Sequence, residues 1–262
     1  MSISLHIAPN ELLPQYLEAA GDDVQQHFDA LHDSELSIDT FSFYTSVSAV
    51  FSSKIEGEQI ELDSYIKHKR LGAHFLPDYT RKTDDLYDAY TYARQHPLTE
   101  AALQHTHSLI TRHILQPAQQ GRLRAGNMFV VTKDGRIEYV AATPDVAKAA
   151  MQALYKDIAT LLSAQLTFKE VLFYAALIHL VFVKIHPFED GNGRTARLLE
   201  KWFLAQKLGP KAWFLQSERH YYDNHQLYYT NIRKLGLEYD TLDYTQALPF
   251  LLMLPQSVRP QE

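Results

Sequence analysis

The sequence predicts an all-α fold interrupted by one β-hairpin. Three observations carry that reading. Apolar residues recur at three- and four-residue spacing along most of the chain. The stretch from Val171 to Val183 is apolar almost all round, as a helix in the middle of a bundle is. Two short β-type runs, Met128 to Thr132 and Arg136 to Val140, flank Asp134-Gly135, a turn pair suited to a type I′ hairpin.

Taken in order, residues 10–36 read as helical and amphipathic, with Leu13, Tyr16, Leu17 and Phe28 as core candidates. Residues 37–56 carry a helical stripe of Phe43, Val47, Val50 and Phe51, and Gly57 is a natural stop. Glu56 then falls in the last turn, where a negative charge opposes the helix dipole, and read alone it is a solvated acid. Residues 59–79 hold a basic cluster, Lys67-His68-Lys69-Arg70, expected on a solvated face. Residues 80–96 and 98–115 read as two helices split at His96-Pro97. His105 and His107 point to different sides of such a helix and, with His113, make poor joint metal ligands.

The hairpin follows within residues 121–140 and must lean on other structure, because an isolated hairpin is marginal in water. Its edge could also accept an extended partner segment. Residues 144–162 should be helical, with Thr143 at the N-cap and Pro144 at the first position. The helix from Phe168 to Lys184 ends at His186-Pro187, since proline disfavours helical geometry in the residue before it. Gly191 and Gly193 allow a tight turn. From about Arg194 a new helix carries Leu198, Leu199, Trp202 and Phe203 on one face, until Gly209-Pro210 stops it. The tail is tyrosine-rich, with Tyr221, Tyr222, Tyr228 and Tyr229.

The chemistry concentrates in His186-Pro187-Phe188-Glu189-Asp190-Gly191-Asn192-Gly193-Arg194-Thr195-Ala196-Arg197. A glycine-rich loop feeding a helix N-terminus offers free N–H groups and a positive dipole to an anion. Arg194 and Arg197 lie three apart, on one side of that helix. Two cations at the positive end of a dipole are tolerable if they answer a polyphosphate. Asp190 could hold Mg²⁺ against phosphate oxygens, and His186 suits general-base work.

This stretch resembles the signature of Fic-domain proteins, HPFx(D/E)GNGRxxR, at every defined position. The resemblance implies a Fic-type helical fold and transfer of AMP from ATP to a Ser, Thr or Tyr hydroxyl of a target protein. It implies His186 as the base, Asp190 on Mg²⁺, and Gly191, Asn192 and Gly193 as the anion cradle. Arg194 and Arg197 would hold the outer phosphates. Ser52-Ser53-Lys54-Ile55-Glu56-Gly57 resembles the family's inhibitory motif, (S/T)xxxE(G/N), with Ser52, Glu56 and Gly57 at its defined positions. By that similarity Glu56 pairs with Arg197 and blocks productive ATP binding, which places the chain in the class with an N-terminal inhibitory helix. Residues 121–151 resemble the flap that aligns the target's hydroxyl segment. One departure is Ala141-Ala142 and then Thr143-Pro144, where many relatives have paired prolines. Tyr228 and Tyr229 resemble the tyrosines that flank the nucleotide base, and residues 243–254 resemble the closing helix.

The implied organisation is an N-terminal helical extension over 1–36, an inhibitory helix and linker over 37–79, a Fic core over 80–255 with its flap hairpin at 127–141, and a frayed tail at 256–262. Two rival readings stand beside AMP transfer. One is a hydrolase that uses Glu56 to remove AMP from a modified protein. The other is a non-catalytic nucleotide-responsive binding module, which would need no base at His186. Relatives also transfer other phosphate-bearing groups, such as phosphocholine.

The 262 residues suffice for a sizeable core. A net charge of −6 argues against nucleic-acid binding through bulk electrostatics. No cysteine is present, so disulfide and thiol chemistry are excluded. No signal peptide or membrane span is read, and a cytoplasmic protein is expected. Partners implied are the target protein along the flap, with self-modification (16 Tyr) and a homodimer both compatible with the sequence.

Overall fold

The computed structural model describes residues 3–31, 40–131, 135 and 137–259. Among them the chain is helical apart from one two-stranded antiparallel hairpin. Two short helices, α1 (Leu13–Ala19) and α2 (Val24–Asp29), replace the single N-terminal helix expected over 10–36. The break falls at Gly21, whose φ of 84° is left-handed. Tyr16 and Phe28 are buried, whereas Leu13 and Leu17 are partly so. Residues 6–8 are pinned by Asp157, which accepts three successive backbone N–H groups at 2.6–2.9 Å.

The helix α3 (Thr40–Ile55) lies against α5 (Pro77–Gln95) and α10 (Ser217–Asp223). It ends one residue before Glu56, whose N–H closes onto the Ser53 carbonyl at 3.1 Å. The following α4 (Leu62–Leu71) carries the basic cluster, which is less solvated than expected. His68 and Lys69 both reach Asp84, at 3.2 and 3.4 Å. Next come α6 (Glu100–Ile110), strands β1 (Phe129–Val131) and β2 (Ile137–Val140), and α7 (Pro144–Ser163). Pro144 occupies the start of α7, but the Thr143 side chain makes no capping bond. The hairpin register pairs Val130 with Tyr139 and Val131 with Ile137, with an irregularity between them. Asp134 lies outside the described residues; Gly135 has a φ of 82°.

At the centre run α8 (Phe168–Ile185) and α9 (Asn192–Leu208), packed along one another. A capping box of Thr167 and Glu170 starts α8, and nearly all of its residues are buried. Four charged residues on α9, namely Arg194, Arg197, Glu200 and Lys201, are also buried. Charges in such a place must be paired. Lys201 forms an ion pair with Glu218 of α10, both side chains fully buried. Its ammonium also donates to Ser48 Oγ at 2.7 Å and to the Leu215 carbonyl at 2.5 Å. Tyr90 of α5 donates to the other Glu218 oxygen at 2.6 Å. Helix α3 is thus anchored to the core by a closed polar network as well as by Val47, Ala49 and Val50.

Beyond α11 (His225–Arg233), the closing helix expected over 243–254 is broken into a 3-10 turn and two short pieces, α12 (Leu248–Leu251) and α13 (Met253–Val258). Pro255 has no N–H to continue a ladder across that junction. The tail is tied down as far as Arg259, which pairs with Asp23 at 2.7 Å over a buried Val258. Among the described residues no helix is long and apolar enough to cross a membrane.

Candidate active site

The site forms where α8 ends and α9 begins. His186 caps α8 in the left-handed region, with a φ of 51°, alone among the described non-glycine residues. Such a conformation costs about 1 kcal/mol or more and persists only when neighbours impose it. Arg124 imposes it. Its buried guanidinium donates to the His186 carbonyl at 2.8 Å, to Gly126 at 2.7 Å and to the Ala142 carbonyl. Its backbone N–H donates to the Pro187 carbonyl at 2.9 Å. One side chain therefore ties the His186 corner to both ends of the hairpin.

The loop after His186 is held from three sides. Asn192 exchanges two hydrogen bonds with the Phe188 backbone, at 2.9 and 2.8 Å. Phe188 is buried, and its ring stacks on His107 at 3.6 Å between centroids. His107 Nδ1 accepts from the Gly121 N–H at 2.9 Å, so Nε2 carries the proton and donates to the Asp190 carbonyl, also at 2.9 Å. Burial pushes this imidazole down to about 4, which keeps it neutral for that task. Gly191 takes a φ of 79°, and a Cβ there would come within 2.8 Å of Thr111.

His186 itself is half-buried. Its Nδ1 lies 3.3 Å from the Val183 carbonyl, which can only accept, so Nδ1 holds the proton and Nε2 presents a lone pair. Burial, aided by the nearby Arg124 charge, pushes the ring down to about 4. The imidazole is neutral through the physiological range, with its Nε2 lone pair free to accept a proton.

The head of α9 carries an anion seat, and a carboxylate of this chain occupies it. Glu56 Oε1 accepts from Arg197 Nη2 at 2.7 Å. A Cβ on Gly193 would come within 2.5 Å of the same oxygen and 3.1 Å of Arg197 Nη1. Burial pushes the Glu56 carboxyl up, but Arg197 and Arg194 more than offset this and hold it below its ordinary range. Ser52 completes the grip on Arg197, accepting through its hydroxyl at 2.8 Å and its carbonyl at 3.2 Å. Gly57 follows with a φ of 93°.

Glu56, His186, Gly193, Arg197, Tyr228 and Tyr229 line one open cavity. Its far wall includes Tyr139 of β2, whose hydroxyl donates to the Lys184 carbonyl at 2.6 Å. The ring of Tyr228 is almost fully buried and packs on Tyr221, while its hydroxyl turns to Arg197. Asp190 and Arg194 are paired with each other at 3.0 Å, with Asp190 about half exposed. Arg194 Nε is buried with no hydrogen-bond partner, an orphan donor at the head of α9.

These features suit Mg²⁺ arriving with a polyphosphate. Asp190, outside the residues that line the cavity but paired with Arg194 at the head of α9, supplies one hard, accessible oxygen donor, and Mg²⁺ characteristically takes one or two carboxylates plus phosphate oxygens. Among the described residues no cluster of three His, Cys, Asp or Glu could hold a metal alone.

Sequence patterning did not single out Arg124, or His107 as a loop anchor. Their bonds join segments 62 and 83 residues apart, and no local period reports such contacts. The available signal for His107 was an imidazole on the same helical face as Leu103 and Ile110.

Residues 97–204 match the Fic/DOC family. Protein adenylyltransferase Fic from Nematostella vectensis is 36% identical over 106 residues, 40% of this chain and 23% of that protein. The protein of that name from Aedes aegypti is 49% identical over 51 residues, 19% of this chain and 10% of its own length. This chain thus spans less than a quarter of the length of either relative. The fold is similar to the crystal structure of a Fic family protein from Desulfovibrio desulfuricans, with a TM-score of 0.76 at 20% identity over 98% of this chain and 74% of that one. The loop that joins α8 to α9 lies within the residues that match the Fic/DOC family model, and the fold around it is similar to that of a Fic family protein.

Proposed function

We propose that this protein is a Mg²⁺-dependent protein adenylyltransferase, moving AMP from ATP to a Ser, Thr or Tyr hydroxyl of a target protein, and that Glu56 holds it inactive. The observation that carries the reading is the Glu56 carboxylate in the anion seat between Gly193 and Arg197, in the same cavity as a neutral His186.

A terminal phosphate and the Glu56 carboxylate compete for one guanidinium. With Glu56 displaced, Arg197 and the orphan Arg194 Nε would face the outer phosphates, assisted by the N-terminal N–H groups of α9. Asp190 would hold Mg²⁺, which when bound supplies positive charge to the phosphate oxygens. His186 Nε2 would take the proton from the target hydroxyl as its oxygen forms a bond to the α-phosphorus. The bond from that phosphorus to the bridging oxygen breaks, and pyrophosphate leaves. The chain's contribution is position and charge: Arg124 fixes the imidazole, and His107 and Asn192 fix the loop. The exposed edge of β1 could pair with the target's extended segment.

A deciding experiment uses the Glu56→Gly protein with Mg²⁺ and cell lysate. Label should enter protein from α-labelled ATP above a lysate-only control, and mass spectrometry should find AMP on a hydroxyl. No α-label above that control would reject the reading. The location of Glu56 in the His186 cavity also supports a second reading, removal of AMP by a water that Glu56 orients. AMP release from a modified target by the unaltered protein but not by Glu56→Gln would favour it.

A further inference from the structure

Behind Arg197 lies a chain of buried polar groups that the proposed reaction does not use. His179 sits in the middle of α8, fully buried among apolar neighbours. Its Nδ1 is 2.8 Å from Glu200 Oε2, and its Nε2 is 2.9 Å from the Tyr228 hydroxyl. Tyr221 donates to the same Glu200 oxygen at 2.8 Å. The Tyr228 oxygen lies 3.4 Å from Arg197 Nη1. Taking a carboxylate, an imidazole and two phenols out of water costs several kcal/mol, and the hydrogen bonds here offset it only in part, since Glu200 Oε1 is buried without a partner.

The donors and acceptors run in one direction. The Glu200 carboxylate only accepts, so His179 Nδ1 carries the proton. A neutral imidazole then offers its lone pair at Nε2, and Tyr228 gives its one proton there. That leaves the Tyr228 oxygen lone pairs for the Arg197 guanidinium, which only donates. Protonating Nε2 instead would turn the Tyr228 proton away from its acceptor, toward the guanidinium.

We propose that His179 is a positioning residue for the nucleotide's outer phosphates: through Tyr228 it holds one arm of Arg197 at the head of α9. This rests on the functional reading above. Arg197 meets Ser52 through Nε and Nη2, and Tyr228 through Nη1. Those contacts fix the plane of the guanidinium independently of Glu56. When Glu56 leaves, the fork remains aimed at the seat and a phosphate meets a preorganised donor pair.

The test measures ATP and AMP affinity by calorimetry in Glu56→Gly and in Glu56→Gly with Tyr228→Phe, which deletes only the linking oxygen. ATP affinity should fall about tenfold, the size of one lost charge-assisted contact. AMP affinity should stay within twofold, because AMP has no outer phosphate. His179→Leu in the same background should give the same ATP-selective loss. In the unaltered protein, ¹⁵N spectra of the histidine rings should show His179 neutral and protonated at Nδ1. Equal loss for ATP and AMP would mean general damage and would overturn the proposal, as would unchanged ATP affinity or an Nε2–H tautomer. If Glu56→Gly itself binds no ATP, the functional reading fails first and the inference falls with it.

Discussion

The Glu56 carboxylate and the Arg197 guanidinium meet at 2.7 Å across 141 residues of sequence, Arg197 fully buried and Glu56 about one-quarter exposed. The pair joins the end of α3 to the head of α9, and α3 is itself fixed by the Ser48–Lys201–Glu218 network. On the proposed reading, a phosphate would gain the seat through a swing of the Glu56 side chain, without departure of its helix.

Glu56→Gly should accordingly raise AMP transfer and lower stability together. A hydrogen bond between charged groups contributes about 1.5–3 kcal/mol, so freeing the seat should raise ATP affinity and transfer about 10–100-fold. Partial exposure of Glu56 reduces what its loss costs the fold, to about 1–2 kcal/mol, or roughly 2–8 °C in Tm. Saturating ATP should recover much of that drop, since a ligand bound only by the folded state stabilises it. Thermal unfolding with and without nucleotide, beside labelled-AMP transfer, reads all three. Because the Glu56 pKa is held low, its charge is present above that value and is lost only as pH falls through it. Inhibition in the unaltered protein should thus be flat from about pH 5 upward.

His186→Ala in the Glu56→Gly background should lose about 10²–10⁴ in rate, the usual worth of a general base. Transfer requires the neutral imidazole, and the folded pKa is pushed down to about 4. Activity should therefore persist as pH falls through the ordinary histidine value of about 6.5, and decline only near 4. A kcat/KM profile of the Glu56→Gly protein measures this. An acid limb centred at 6.5 would place the titrating ring in water.

Much of this site was legible because its motif is local. His186, Asp190, Gly193 and Arg197 fall within twelve residues, and a helix stop, a glycine turn and a helix start dictate their relative places. The all-round apolar run from Val171 to Val183 likewise announced the central helix. His179 was visible as the one polar residue in that run, but its partners Glu200 and Tyr228 come from two other helices. The same holds for Lys201 and Glu218, a buried pair that helical periodicity reads only as polar interruptions. The N-terminal and closing helices were overextended because a 3.6-residue pattern persists through the bend at Gly21 and through Pro255.

Gly193→Ala tests the anion seat apart from its occupant. The substitution adds a Cβ within 2.5 Å of Glu56 Oε1 and 3.1 Å of Arg197 Nη1, so the flexible carboxylate must move aside. Gly193 lies in the first turn of α9 with no left-handed backbone, and alanine is favoured there over glycine by up to about 1 kcal/mol. Stability should change by no more than about 1 kcal/mol, as the helix gain offsets the lost contact. Loss of the Glu56 contact should nevertheless bring no activation, because the new methyl fills the space a phosphate would take. Gly193→Ala, alone or with Glu56→Gly, should show no thermal shift with ATP. Activation by Gly193→Ala alone would move the phosphate seat elsewhere.

Arg124→Lys should be far from conservative. The guanidinium makes three bonds in different directions, to His186, Gly126 and Ala142, from a buried position. A lysine ammonium on a flexible stem has no planar fork with which to span these carbonyls. At least one buried carbonyl would lose its donor, at about 1–3 kcal/mol each. The left-handed turn at His186 would also lose what imposes it. In the Glu56→Gly background, transfer should fall at least tenfold while AMP and ATP affinities change less, since the anion seat is built by α3 and α9 and not by Arg124. Hydrogen exchange should rise at residues 137–142 and at His186 while α9 keeps its protection. Equal loss of affinity and rate would instead make Arg124 a part of the nucleotide site.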